Sequence, residues 1–249
     1  MFLSPDQISH CTRWLLEHAS LPVQYLTRKH ILHTDPGSAP MLELWKKVAN
    51  GKEAEEIFSK QNPDGSFFSG GAWGPRGYRQ ETGRGYTSTR PKFVTTAWLL
   101  PFLGEMGFTA ANDERVRKSC AFILQDIGAP NQFPESLPRR PDCCGLSAIP
   151  LRALASVGMA DAEILRANWN WLNRCQRDDG GWLNPNHLAG SPTPSTTQGR
   201  WPWDRSCAWG SYFAVEALFY RENPRCEPML TASLEFLLWH LTQFPPESI

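Results

Sequence analysis

Two kinds of helical pattern alternate along the chain. Residues 93–107 (FVTTAWLLPFLGEMG), 143–157 (CCGLSAIPLRALASV) and 207–221 (CAWGSYFAVEALFYR) are apolar around most of their circumference. Helices of that composition are buried on more than one side. Residues 113–126, 161–176 and 226–243 instead set apolar side chains at i, i+3 and i+4, as Ile164, Leu165, Ala167, Trp169 and Leu172 do, which predicts helices buried along one face. Gly107, Gly158 and Asn223 follow the first kind and suit a helix C-terminus. Asp113, Asp161 and Glu227 open the second kind, where negative charge is favourable. The pattern predicts three inner helices ringed by three outer ones.

Gln61, Gln125, Gln176 and Gln243 fall at the ends of 53–61 and of the three outer helices, at spacings of 64, 51 and 67 residues. A helical hairpin recurring at such intervals is an array architecture. Residues 6–18, 22–33 and 41–49 read as further amphipathic helices, and no strand alternation competes. The expectation is one all-α domain over 1–249, less regular over 1–52, with the repeats over 53–243. Two long segments interrupt it, 66–92 and 183–206. Both leave from the same stage of the repeat, so they are expected at the same end of the protein. The first carries Arg76, Arg79, Arg84, Arg90 and Lys92 against Glu81. Its Arg79 and Arg84 are candidates for holding an anionic group, since guanidinium forks suit phosphate and carboxylate.

Composition narrows the function classes. Over 249 residues, 25 basic side chains balance 25 acidic ones, so no nucleic-acid footprint is expected. The apolar runs are too short for a membrane span. Met1–Asp6 carry no secretory pattern. Seven scattered cysteines form no disulfide framework and suit a reducing cytoplasm. There is no P-loop, dinucleotide fingerprint, zinc-protease helix or nucleophile elbow. Eleven tryptophans leave an aromatic-rich soluble protein whose expected partner is a hydrophobic small molecule.

Two segments share a motif: Gln61-Asn62-Pro63-Asp64-Gly65-Ser66-Phe67 and Gln176-Arg177-Asp178-Asp179-Gly180-Gly181-Trp182. They resemble the Q-x-x-D-G-x-W repeat of squalene and oxidosqualene cyclases, shared more loosely by protein prenyltransferase β-subunits. In physical terms the glutamine closes a helix, the glycine turns the chain, the aspartate faces the start of a neighbouring helix and the ring covers the joint. The resemblance spans roughly 53–243 and implies an α/α toroid, inner helices ringed by outer ones around a cavity. The copy at Gln125 is degenerate, and a second toroid does not fit in this length.

Aligning Ala153-Leu154 on Ala217-Leu218 gives an offset of 64 that sets Cys143 opposite Cys207. Asp142 precedes Cys143. As Asp-Cys, the string resembles the D-C-T-A element of oxidosqualene cyclases, although Gly145-Leu146 follow. This implies a proton-donating Asp142, flanked by the thiols of Cys143 and Cys207, that starts cyclisation or isomerisation of an isoprenoid-like substrate without a cofactor. As Asp-x-Cys, it resembles the zinc ligands of prenyltransferase β-subunits, implying Asp142 and Cys144 with Cys207 replacing the histidine. Two further readings stay open: a non-catalytic toroid that binds a ligand or partner, and Asp142 as an ordinary helix cap beside small buried cysteines. Trp98, Trp209, Tyr212 and Phe213 are expected to line the cavity, where aromatic faces attract a cation.

Overall fold

The structure is a computed structural model that describes residues 4–67, 96–127, 144–182, 206, 208–221 and 227–243. Among these it is all-helical, with no β-strand and only an isolated bridge between Gln61 and Phe67. Helix α1 (Pro5–His18) starts at a capping box in which Ser4 and Gln7 exchange bonds. α2 (Leu21–Leu26) runs on through a π-helical turn, Thr27–Ile31. α3 (Ala39–Ala49) and α4 (Lys52–Phe58) complete the N-terminal group. Then come α5 (Thr96–Glu105), α6 (Glu114–Ile127), α7 (Cys144–Leu154), α8 (Arg166–Arg174), α9 (Ala208–Phe219) and α10 (Glu227–Gln243). No helix of the described residues is long and apolar enough to cross a membrane.

α7 is the central helix: it packs against α5, α6, α8 and α9. Every residue from Ala148 to Ala155 is buried, which is why its sequence is apolar on all sides. α6 and α10 alternate buried and exposed positions instead. Gly107 and Gly158 sit at positive φ after α5 and α7, a conformation that ends helices and carries no Cβ penalty for glycine. Asp113 caps α6 through the Arg115 N–H at 2.8 Å. Asp161 makes no such cap: a 3-10 turn, Glu163–Leu165, leads into α8, and Ala162 at its N-cap makes no side-chain bond.

Both Q-x-x-D-G turns close in the same way. Asn62 and Arg177 donate backbone N–H bonds to the carbonyls of Ser66 and Gly181, and Gly65 and Gly180 donate back to Asn62 and Arg177. The glutamine amide does not close its own helix. Gln61 Nε2 donates to the Arg115 carbonyl and Ser119 hydroxyl of α6, each at 2.8 Å. Gln176 Nε2 donates to the Met229 carbonyl and Ser233 hydroxyl of α10, each at 2.9 Å. Each turn therefore fastens one outer helix to the next. The aromatic residue completes the circuit inward: Phe67 N–H donates to Thr96 Oγ1 of α5, and Trp182 N–H donates to Ser211 Oγ of α9. Asp179 reaches the approach to α9, accepting from the Ser206 N–H and hydroxyl. Asp64 accepts from Ser66 in its own turn.

Gly65 and Gly180 are required twice over. Both have φ near 85–87°, and a Cβ on either would stand 2.3 Å from a backbone carbonyl, of Lys118 or Ala232. Gly180→Ala is expected to cost about 2–4 kcal/mol, combining the left-handed strain with the displacement of α10. Urea unfolding measures it.

Burial alone would raise the Asp179 carboxyl, but the Ser206 hydroxyl and N–H, the Gly181 N–H and the Arg177 charge outweigh it and hold it below its ordinary range. A depressed carboxyl contributes stability that is full above its unfolded pKa of about 3.9 and is lost as pH falls through the folded value. Asp179→Asn is therefore expected to unfold with a flatter pH dependence below about pH 4, read from urea midpoints between pH 3 and 7.

Candidate functional site

α7 and α9 each carry a single charged residue, at equivalent positions 64 residues apart, Arg152 and Glu216. The fold joins them. Arg152 Nη1 donates to Glu216 Oε2 at 2.7 Å, with Arg152 almost wholly buried and Glu216 partly open to solvent. The guanidinium also lies over two rings, 4.9 Å from the centroid of Trp98 on α5 and 5.4 Å from that of Phe213 on α9. Those rings meet edge to face at 5.3 Å. Three helices, α5, α7 and α9, thus converge on one cation.

Two phenols border the pair. The Tyr212 hydroxyl is pushed up by burial and then by the Glu216 charge. The Tyr220 hydroxyl is pushed up by burial, then by Glu105 and Glu216. Both phenols stay protonated at neutral pH and can act as hydrogen-bond donors but not as bases. Arg152 Nε is buried and donates no hydrogen bond among the described residues.

The residues singled out in the sequence divide as follows. Trp98 and Phe213 come together, buried, with their cation supplied by Arg152. Tyr212 stands next to Phe213 at 5.3 Å and remains half exposed. Trp209 lies on α9, but its side chain is outside the described residues, as is that of Cys144, the first residue of α7. Asp142, Cys143, Cys207, Arg79 and Arg84 also lie outside them, with nearly all of 66–92 and 183–206. Among the described residues no three His, Cys, Asp or Glu side chains are grouped to hold a metal ion. Cys120 of α6 is no nucleophile at neutral pH, because burial pushes its thiol up to about 12.

Arg152 and Glu216 were the residues missed. Their signal was present: lone charges in largely apolar helices, at the same offset that aligns Cys143 with Cys207. A concavity of about 490 Å³ lies between the Gln176–Trp182 turn and α10, lined by Asp178, Glu235, Phe236, Trp239 and His240 among others.

Removing one member of a buried ion pair strands the other. Arg152→Met is expected to cost about 2–4 kcal/mol, at the lower end because Glu216 is partly solvated, whereas Arg152→Met combined with Glu216→Leu should recover most of it. A double-mutant cycle in urea reads the coupling. Comparison of the chain with known protein families, with curated proteins and with solved structures finds no match.

Proposed function

We propose that the chain is an α/α toroid of the terpene-cyclase kind, an enzyme that starts cyclisation or isomerisation of a hydrophobic, isoprenoid-like substrate by proton transfer from Asp142. One observation carries the reading. α7 and α9 start at Cys144 and Ala208, equivalent positions in the repeat, and they pack so that residues 64 apart touch, as Arg152 and Glu216 do. In the chain, Asp142 and Cys143 immediately precede the first of these helices, and Cys207 immediately precedes the second. The two repeated Q-x-x-D-G circuits support the toroid itself, since they link successive outer helices in the way a closed ring requires.

In this mechanism the Asp142 O–H bond breaks as a C–H bond forms at a substrate double bond, leaving a carbocation and a carboxylate. The thiols of Cys143 and Cys207 hydrogen-bond that carboxylate. The cation loses a neighbouring proton or adds water to end the reaction. Of the aromatic set, Tyr212 offers an open ring, and an aromatic face is worth about 0.5–2 kcal/mol to a nearby cation. Trp98 and Phe213 already hold Arg152 and support the wall.

One feature favours a second reading. Cys144 is the first residue of α7, and a helix N-terminus stabilises thiolate and carboxylate over their neutral forms. Two thiolates and a carboxylate form a donor set suited to zinc, so Asp142, Cys144 and Cys207 would hold the metal, which would supply a Lewis acid to the substrate.

Incubation of the purified protein with C15, C20 and C30 isoprenoids, followed by product analysis, tests both. Asp142→Asn keeps a good helix cap and so leaves stability nearly unchanged. In the acid reading it lowers turnover by about a hundredfold or more at unchanged metal content. In the zinc reading metal content falls with activity. A fully active Asp142→Asn protein, or a wild type that converts none of these substrates, eliminates the proposal.

A further inference from the structure

The two Q-x-x-D-G circuits serve as controls for one another. Ser119 and Ser233 accept from the two glutamines, and Gly65 and Gly180 approach the backbone of Lys118 and Ala232. These contacts match α6 with α10, and one turn with the other, position by position. What the scaffold needs is repeated: glutamine, aspartate and glycine in the turn, serine on the helix, and Phe122 or Phe236 buried three residues beyond it. Other positions are not repeated. Asp178, Glu235, Trp239 and His240 stand where the first copy has Pro63, Ala121, Gln125 and Asp126. The circuit closes with either set, so packing of the turn on the helix does not call for Asp178, Glu235, Trp239 or His240.

All of these line the concavity of about 490 Å³ between the second turn and α10. Its volume lies in the range of small-molecule sites, about 300–1,000 Å³. The lining holds the carboxylates of Asp178, Asp179 and Glu235 and, among the described residues, no lysine or arginine. Asp179 is already committed: it accepts from Ser206 and Gly181 and feels the charge of Arg177. Asp178 and Glu235 are exposed, and among the described residues their carboxylates make no hydrogen bond or ion pair.

The aromatic part is set by α10 itself. Phe236, Trp239 and His240 fall at i, i+3 and i+4, on one face of the helix. The His240 ring lies 4.3 Å from that of Phe236 and 4.9 Å from that of Trp239. Its Nδ1 is 3.0 Å from the Phe236 carbonyl oxygen, which fixes the ring. Trp239 is 48% exposed. Aromatic faces attract a cation through their quadrupole, and uncommitted carboxylates attract it through charge. The combination favours one kind of cation. A primary ammonium is strongly hydrated and gains little from carboxylates that water also reaches. A quaternary ammonium carries its charge beneath an apolar surface, gives up little hydration and suits an aromatic face.

We infer that the concavity between the Gln176–Trp182 turn and α10 binds a small organic cation with a quaternary ammonium head, held against Trp239, with Asp178 and Glu235 supplying the opposite charge. The site shares no residue with Asp142, Cys143 or Cys207, so it and the enzymatic reading can fail separately.

Isothermal titration of the full chain with choline tests this, with the uncharged tert-butyl analogue of choline as control. Choline should bind saturably, and more tightly than either the analogue or methylammonium. Trp239→Gln and Glu235→Ala install what the first copy carries at the same places, so helicity and urea midpoints should stay near wild type. Trp239→Gln should weaken choline about fivefold or more. Glu235→Ala and Asp178→Asn should each weaken it about two- to fivefold at low salt, and less at high salt. Equal affinity for choline and its uncharged analogue overturns the inference, as does a lack of saturation at millimolar choline. So does a folded Trp239→Gln protein that binds choline as wild type does. A peptide bearing trimethyllysine that binds more tightly than choline overturns the small-molecule assignment and makes the cation a side chain of another protein.

Discussion

The architecture depends on one side-chain amide used twice. Gln61 and Gln176 each reach from a turn into a later helix, α6 or α10, where the amide nitrogen meets a carbonyl and a serine hydroxyl, while the glycine carbonyl of its own turn lies within bonding distance as a third acceptor. Buried polar groups must find partners or lose the full cost of desolvation. An amide that can be satisfied only by one register of the next helix therefore selects that register. The glycine at positive φ makes the approach possible, since any Cβ would collide with the backbone the amide is reaching for. Turn and outer helix are thus specified together.

The inner layer follows from this. Phe67 and Trp182 leave their turns with a backbone bond to a hydroxyl inside the next inner helix, so outer register is passed inward. Within that layer the contacts are almost all apolar, and apolar contacts are not directional and so distinguish poorly between one register and another. Arg152 and Glu216 supply the distinction, because a slipped register would bury a guanidinium without its carboxylate. The ring pair of Trp98 and Phe213 adds a second constraint on the same cation.

Such a scaffold hosts many activities, and its fold alone names none of them. What narrows the field is local: two adjacent helices whose starts are equivalent, an aspartate and cysteines at those starts in the chain, and an aromatic wall close by. Helix starts favour the charged forms of carboxyl and thiol, which suits a metal there, whereas a neutral acid at the same place needs burial to keep its proton.

The sequence by itself determined the helices, their two classes, and the turns between them. Periodicity and capping are local, so the boundaries of α1, α6, α9 and α10 read correctly within a residue or two; α7 stops three residues before the expected 157, where a π turn takes over, and Gly107 and Gly158 sit at positive φ at the helix ends as their type suggests. Asp161 read as a helix start because it has the right chemistry, but the chain turns through a 3-10 segment before α8, a choice made by packing. The motif glutamines were legible as helix-end residues, and each has a local acceptor in its own turn, yet the two that tie it to another helix lie 53–58 residues away along the chain, beyond any local rule. Likewise Trp98, Tyr212 and Phe213 were visible as an aromatic set, but only the tertiary structure supplied Arg152 as the cation of Trp98 and Phe213 and left Tyr212 half exposed. Apolar character is written in the residue, whereas what finally buries or exposes it is decided by which helix comes next in space.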